Sequence, residues 1–230
     1  MQGNPADSAT SDRSDCVMMS RLVVPTLTGR HVSLEPLTID HVDAITSAGA
    51  GDRSTFGYTQ VPDGGDAAAE YVTWLLDDAA DDRAVPFVQR RVGDDTVAGC
   101  TRFLNLFWPL GRDHPDEVEI GGTWLSSSAQ RTPINTEAKL LLLTHAFDVW
   151  NVQRVALCTD ARNHRSRRAI ERLGVVTEGP EQPVSSLSGG NQQTASDCAT
   201  RPRIRSRSTT GAPYRRCSSR APPRDTERGP

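Results

Sequence analysis

Lysine is almost missing from this sequence: Lys139 is the single one among 26 basic residues, so arginine carries the positive charge, as a GC-rich gene would encode it. No stretch approaches the ~18 continuous apolar residues of a membrane span, and the polar, acidic segment Met1 to Asp15 has no apolar signal core. Both absences point to a soluble cytoplasmic protein. The five cysteines (Cys16, Cys100, Cys158, Cys198, Cys217) are odd in number, far apart and without CxxC spacing, so neither a disulfide framework nor a zinc site is indicated and they read as reduced thiols. His31, His41, His114, His145 and His164 have no ligand-like spacing either, so no metal is expected and they read as surface or helix-face residues. A net charge of −3 gives no overall reason to expect nucleic acid or an anionic membrane as partner. The length, 230 residues, fits one domain plus tails.

Residues 1–21 are rich in Ser, Asp, Asn and Gly and read as a disordered leader, or as a start misassigned upstream of Met18 or Met19. Val32, Leu34 and Leu37 then predict a first strand, followed by a helix over 39–48. A second helix over 67–76 carries Tyr71, Trp74 and Leu75 at i, i+3, i+4. Residues 84–91 and 96–107, around Gly93, Asp94 and Asp95, read as a β-hairpin. The strand 118–125 contains Gly121 and Gly122, a pair that marks a bulge or a close approach to the backbone. The strongest helix spans 135–150, a buried strand 154–159, and a last amphipathic helix 163–173 stops at Gly174. Trp74, Trp108, Trp124 and Trp150 read as core or pocket wall.

Chemistry concentrates in the loop Gln130, Arg131, Thr132, Pro133, Ile134, Asn135. It lies between a strand and a helix, where free N–H groups and the helix dipole suit a phosphate, and Arg131 adds a full charge. Plain helix initiation, with Thr132 as N-cap and Pro133 at the first helical position, explains the same residues. The double-glycine strand before the loop and the group Asp160, Ala161, Arg162, Asn163 and Ser166 beyond it favour the binding reading.

The segment Glu117 to Gly174 resembles the GNAT N-acetyltransferases, more closely their RimJ/RimL-like branch, and the likeness extends back to Leu22. It is carried by Glu119-Ile120-Gly121, by Asn135-Thr136-Glu137-Ala138-Lys139 with the leucine run behind it, and by Asn163 to Gly174. The resemblance implies an α/β (α+β) fold, a mixed central sheet flanked by helices, over 22–178. It implies that Gln130, Arg131, Thr132, Pro133, Ile134, Asn135 and Thr136 bind the coenzyme A pyrophosphate, although both glycines of the family loop are replaced and Pro133 has no N–H. It further implies that Thr123, Trp124 and Leu125 pair with pantetheine amides and that Asn163 and Ser166 face the coenzyme. Acetyl-CoA and an amine acceptor are the implied partners, with a homodimer left open.

The implied reaction is direct attack of a primary amine on the acetyl thioester in a ternary complex, so a group must take the amine's proton and another must stabilise an oxyanion. A backbone N–H within Gly121–Trp124 is the natural oxyanion donor. Glu119 on the same strand is the candidate base, acting through water, or else a solvated edge residue. Where many family members carry an acidic tyrosine, seven residues after Asn163, this chain has Ile170.

Residues 179–230 break the pattern. The family continues with further strands, whereas here Ser, Gly, Gln, Pro and Arg take over, and 201–228 holds nine arginines opposed by Asp225 and Glu227 alone. A basic arm for nucleic acid is one reading. A displaced reading frame is another: shifted by one base, Asp197-Cys198 must encode Leu, and the codons to Gly211 are compatible with Arg-Asp-Ser-Ala-Ser-Tyr-Ser-Ile-Thr-Val-Asp-Asp-Trp, which resembles the family's final strand. On that reading the sheet lacks its last strands, and the chain is a weak acetyltransferase or a silent coenzyme-binding relic.

Overall fold

A computed structural model describes residues 22–174, together with the backbone of 176–177 and 202–205. Two short strands, β1 (Leu27–Thr28) and β2 (Val32–Pro36), lead through a 3₁₀ turn at Ile39–His41 into helix α1 (Val42–Gly49) and then α2 (Gly65–Ala80). The hairpin strands β3 (Ala84–Arg91) and β4 (Val97–Phe107) follow, then β5 (Glu117–Leu125), α3 (Ile134–Thr144), β6 (Arg154–Ala156) and α4 (His164–Glu171). Neighbouring strands from β1 to β5 are antiparallel, and β6 joins β5 in parallel. This is the mixed sheet flanked by helices that the sequence implied.

Alternating side chains divide the core between the two faces of the sheet. Phe87, Phe103 and Ile120 meet Leu142 of α3 on one face, while Val88, Cys100 and Trp124 meet Ile45 of α1 and Val72 and Leu75 of α2 on the other. The Glu137 carboxylate on α3 accepts hydrogen bonds from the N–H groups of Arg30, His31 and Val32 (2.8, 2.6 and 3.0 Å), which ties that helix to the β1–β2 turn.

Three boundaries differ from the sequence reading. The helix expected over 135–150 is α-helical only to Thr144, and His145–Val149 form a π-helical turn closed by the Trp150 N–H on the His145 carbonyl. That turn rotates His145 inward, so it is no surface residue: it is buried between the rings of Phe103 and Trp150, at 6.3 and 4.8 Å, and burial pulls its pKa below the usual value. The strand expected over 154–159 ends at Ala156, because the chain leaves β5 there. Thirdly, the sheet does not stop at β6. Pro202–Arg205 (β8) lies antiparallel to β6, and Val176–Thr177 (β7) antiparallel to β8. A sheet edge offers unpaired backbone groups that an extended segment can join through its main chain, whatever its side chains. The other residues of the expected leader and tail lie outside the described residues.

Candidate active site

The cleft exists because two parallel strands part. β5 and β6 pair only at Glu117–Arg154, Val118–Val155 and Glu119–Ala156. Beyond Glu119, β5 has no strand partner on that side among the described residues, and a cleft of about 1060 Å³ opens between it and residues 157–160. The starts of α3 and α4 meet the 55–60 loop in this cleft, where Gln130 and Arg165 both bond Thr55, and α2 lines it through Tyr71 and Trp74.

On β5 the double glycine forms a bulge. Cys100 faces Trp124 and Arg102 faces Gly121, leaving Thr101 opposite two residues, and Gly122 takes φ +57°. Such a bulge leaves backbone groups of the extra residue outside the ladder, and Gly121, Gly122 and Thr123 all line the cleft. At the α3 end, Arg131 sits at φ +62°, and the Thr132 hydroxyl donates to the Ala129 carbonyl (2.6 Å) while accepting the Ile134 N–H at 3.4 Å. The N–H groups of Asn135 and Thr136, in the first helical turn, have no carbonyl four residues back within the helix to bond. Gln130 is held by the Arg165 guanidinium (2.8 Å) and donates to the Leu125 carbonyl and the Thr55 hydroxyl. On α4, the Asn163 side chain caps the helix by accepting the Ser166 N–H at 3.1 Å. Phosphate-sized anions suit this end, where two helix starts, Arg131 and Arg165 line the cleft.

Thr123, Trp124, Leu125, Gln130, Arg131, Thr132, Asn135, Thr136, Asn163 and Ser166 all line the cleft. Pro133 does not, and Ile134 is buried in the core, because the first turn of α3 points that position at the sheet. Glu119 is also buried; it accepts a hydrogen bond from Asn105 (2.8 Å) and lies against Gly121, where a Cβ would come within 3.1 Å of its carboxylate oxygen. It is therefore no solvated edge residue. Ile170 lines the cleft wall as an apolar side chain.

Sequence reasoning missed two residues. Lys139 is buried on α3, with Nζ 2.6 Å from the Thr123 hydroxyl and 3.5 Å from that of Thr101. Burial lowers its pKa to about 7, against an opposing pull from the Glu119 charge. Its signal was available: one lysine in a helix apolar on nearly every side. The second is Arg102, whose guanidinium lies over the Trp74 ring at 4.8 Å on the cleft wall.

The Acetyltransferase (GNAT) domain family matches residues 31–176. The chain belongs to that family. Over 63 residues it is 36% identical to "Putative ribosomal N-acetyltransferase YdaF" of Bacillus subtilis (strain 168), a match spanning 27% of this chain and 34% of that protein, so the chain covers about a third of this relative. A GCN5-related N-acetyltransferase from Brucella melitensis is 26% identical with a TM-score of 0.60, covering 77% of this chain and 76% of its own. The ribosomal-protein-S5-alanine acetyltransferase from Vibrio fischeri shares the fold, with a TM-score of 0.58 at 15% identity, over 78% of this chain and 96% of its own. Among the described residues no helix is long and apolar enough to cross a membrane, and no cluster of metal-ligating side chains occurs.

Proposed function

We propose that this GNAT chain transfers the acetyl group of acetyl-CoA to a primary amine, a protein N-terminus or a small amine, by direct attack in a ternary complex. The observation that carries the reading is the cleft itself, which is lined both by the helix starts with Arg131 and Arg165 and by the Gly121–Gly122 bulge. Asn135 and Thr136 N–H groups and Arg131 hold the pyrophosphate, the backbone of Thr123 to Leu125 pairs with pantetheine amides, and Asn163 and Ser166 face the coenzyme. An N–H of the bulge donates to the carbonyl oxygen as it becomes an oxyanion. Glu119 takes the amine's proton through a water, and the CoA thiolate leaves as the amide forms. Cytoplasmic residence and kinship with the RimJ/RimL-like branch belong to the same proposal.

The test is acetyl-CoA binding by calorimetry and CoA release with a panel of amines, for the wild type and Glu119→Gln. Retained coenzyme binding with turnover down roughly 100-fold in the variant is expected. Equal turnover removes Glu119 from the mechanism.

A second reading, a coenzyme-binding relic, is favoured by Ile170 in the cleft wall and by Pro133, which donates no N–H to a phosphate. It predicts acetyl-CoA binding with no turnover of any amine. It joins the proposal that residues beyond Gly179 are read from a displaced frame. Sequencing both DNA strands across the codons for Glu178 to Cys198 decides this, and robust turnover by the 230-residue chain refutes the idea that the altered tail cripples the enzyme. A nucleic-acid role for the arginine-rich tail predicts salt-sensitive binding that disappears on deleting Arg201 to Pro230.

A further inference from the structure

Beside the bulge the cleft wall carries the aromatic rings of Tyr71 and Trp74 and the guanidinium of Arg102. Arg102 projects from β4 opposite the bulge. Its guanidinium lies against the Gly122 backbone so closely that a Cβ there would be 2.9 Å from Cζ and Nε. Trp74 covers it at 4.8 Å, and Tyr71 stands 6.1 Å from Trp74. Stacking on rings fixes the plane of the guanidinium but satisfies none of its five N–H donors. Among the described residues the Arg102 guanidinium donates no hydrogen bond and meets no carboxylate, whereas Arg53, Arg83, Arg90, Arg91, Arg112, Arg154 and Arg162 each lie within 4 Å of an acidic side chain.

A half-buried, pre-oriented fork of donors matches a carboxylate in two parallel hydrogen bonds. Arg102 is also separate from the arginines at the coenzyme end, since β5 and its bulge lie between them. An ammonium group alone would be repelled by it. We infer that Arg102 is the anchor of an acceptor subsite for a carboxylate, so that the acceptor is an amine that also carries a carboxylate group. The inference rests on the acetyltransferase reading above. Aromatic walls at Tyr71 and Trp74 would pack the body of that acceptor, with the carboxylate on Arg102 and the amine turned toward the bulge.

The experiment measures binding through tryptophan fluorescence, because Trp74 and Trp124 line the cleft. With CoA present at saturation, two matched pairs are titrated: L-phenylalanine against phenethylamine, and Asp-Ala-amide against Asn-Ala-amide. The first pair represents a free amino acid and the second an acidic N-terminus. The expected result is that the carboxylate member binds at least tenfold tighter in one of the pairs. Arg102→Gln should abolish that preference and Arg102→Lys should keep part of it, both with unchanged CoA affinity. Equal or weaker binding of the carboxylate members, a preference that survives Arg102→Gln, or no binding in either pair overturns the inference. CoA titration alone, and acetyl transfer to phenethylamine, test the underlying reading separately. Loss of CoA binding in the wild type sinks that reading, while CoA binding without a carboxylate preference sinks only this one.

Discussion

Lys139 Nζ lies 2.6 Å from the Thr123 hydroxyl, beneath the strand proposed to pair with pantetheine, and burial lowers its pKa from an ordinary 10.5 to about 7. A lysine depressed on folding binds a proton more readily in the unfolded chain. Between about pH 7 and 10.5 the unfolded state therefore holds more protons, and stability rises with pH across that window. Below it both states are protonated and the folded state carries the full cost of the buried charge. Urea unfolding of the wild type and Lys139→Gln from pH 6 to 10 should thus show the difference shifting toward the wild type, by at most about 1.4 kcal/mol per pH unit for one proton. A constant difference would mean Lys139 titrates as an ordinary lysine.

Glu137 makes the opposite case. Burial by itself would raise its carboxyl, yet the N–H groups of His31, Arg30 and Val32 outweigh it and hold the pKa below the usual 4.5. Its contribution is present above the unfolded value and is lost as pH falls through the lower folded one. Glu137→Ala, which removes the acceptor of three amides, should cost about 1–3 kcal/mol near neutrality, and less below pH 4. Because Glu137 ties α3 to the β1–β2 turn, a weaker grip on acetyl-CoA should accompany it. Equal stability at pH 7 would show that water replaces the carboxylate freely.

Arg131 combines a strained backbone with a useful charge. At φ +62° a side chain is disfavoured where glycine is not, and the family loop carries glycines nearby. Arg131→Gly should therefore gain up to about 1 kcal/mol of stability while weakening acetyl-CoA binding by calorimetry. Unchanged acetyl-CoA affinity in this variant would remove Arg131 from the pyrophosphate site.

The sheet and the helix-start end of the cleft were legible because local signals specify them. Gly93-Asp94-Asp95 announces the β3–β4 hairpin, Gly121-Gly122 the bulge, and Asn163 the start of α4. The parting of β5 from β6 was not legible: Leu157 and Thr159 read as strand, yet the pairing of β6 with β5 ends at Ala156. Arg102 was hidden for a similar reason. Its position on β4 looks like any exposed strand arginine until the register sets it opposite Gly121 and beneath Trp74, two elements distant in sequence. Ile134 was misplaced because the loop's chemistry says nothing about which way the first helical turn faces.

Gly99 and Gly122 flank the same bulge and separate folding from function. A Cβ on Gly99 would meet the Trp124 carbonyl oxygen at 2.0 Å, a backbone atom held by strand pairing that cannot move aside. Gly99→Ala should therefore destabilise the fold by several kcal/mol, roughly at the upper end for single substitutions, as seen in urea unfolding. A Cβ on Gly122 meets instead the far end of the Arg102 side chain, at 2.9 Å, with φ +57° adding about 1 kcal/mol of strain. Arg102 can swing away, so Gly122→Ala should fold and bind CoA, yet lose the carboxylate preference together with Arg102's orientation. Unchanged acceptor binding in this variant would mean that the guanidinium keeps its place without the glycine, and that the close approach on β5 does not position it.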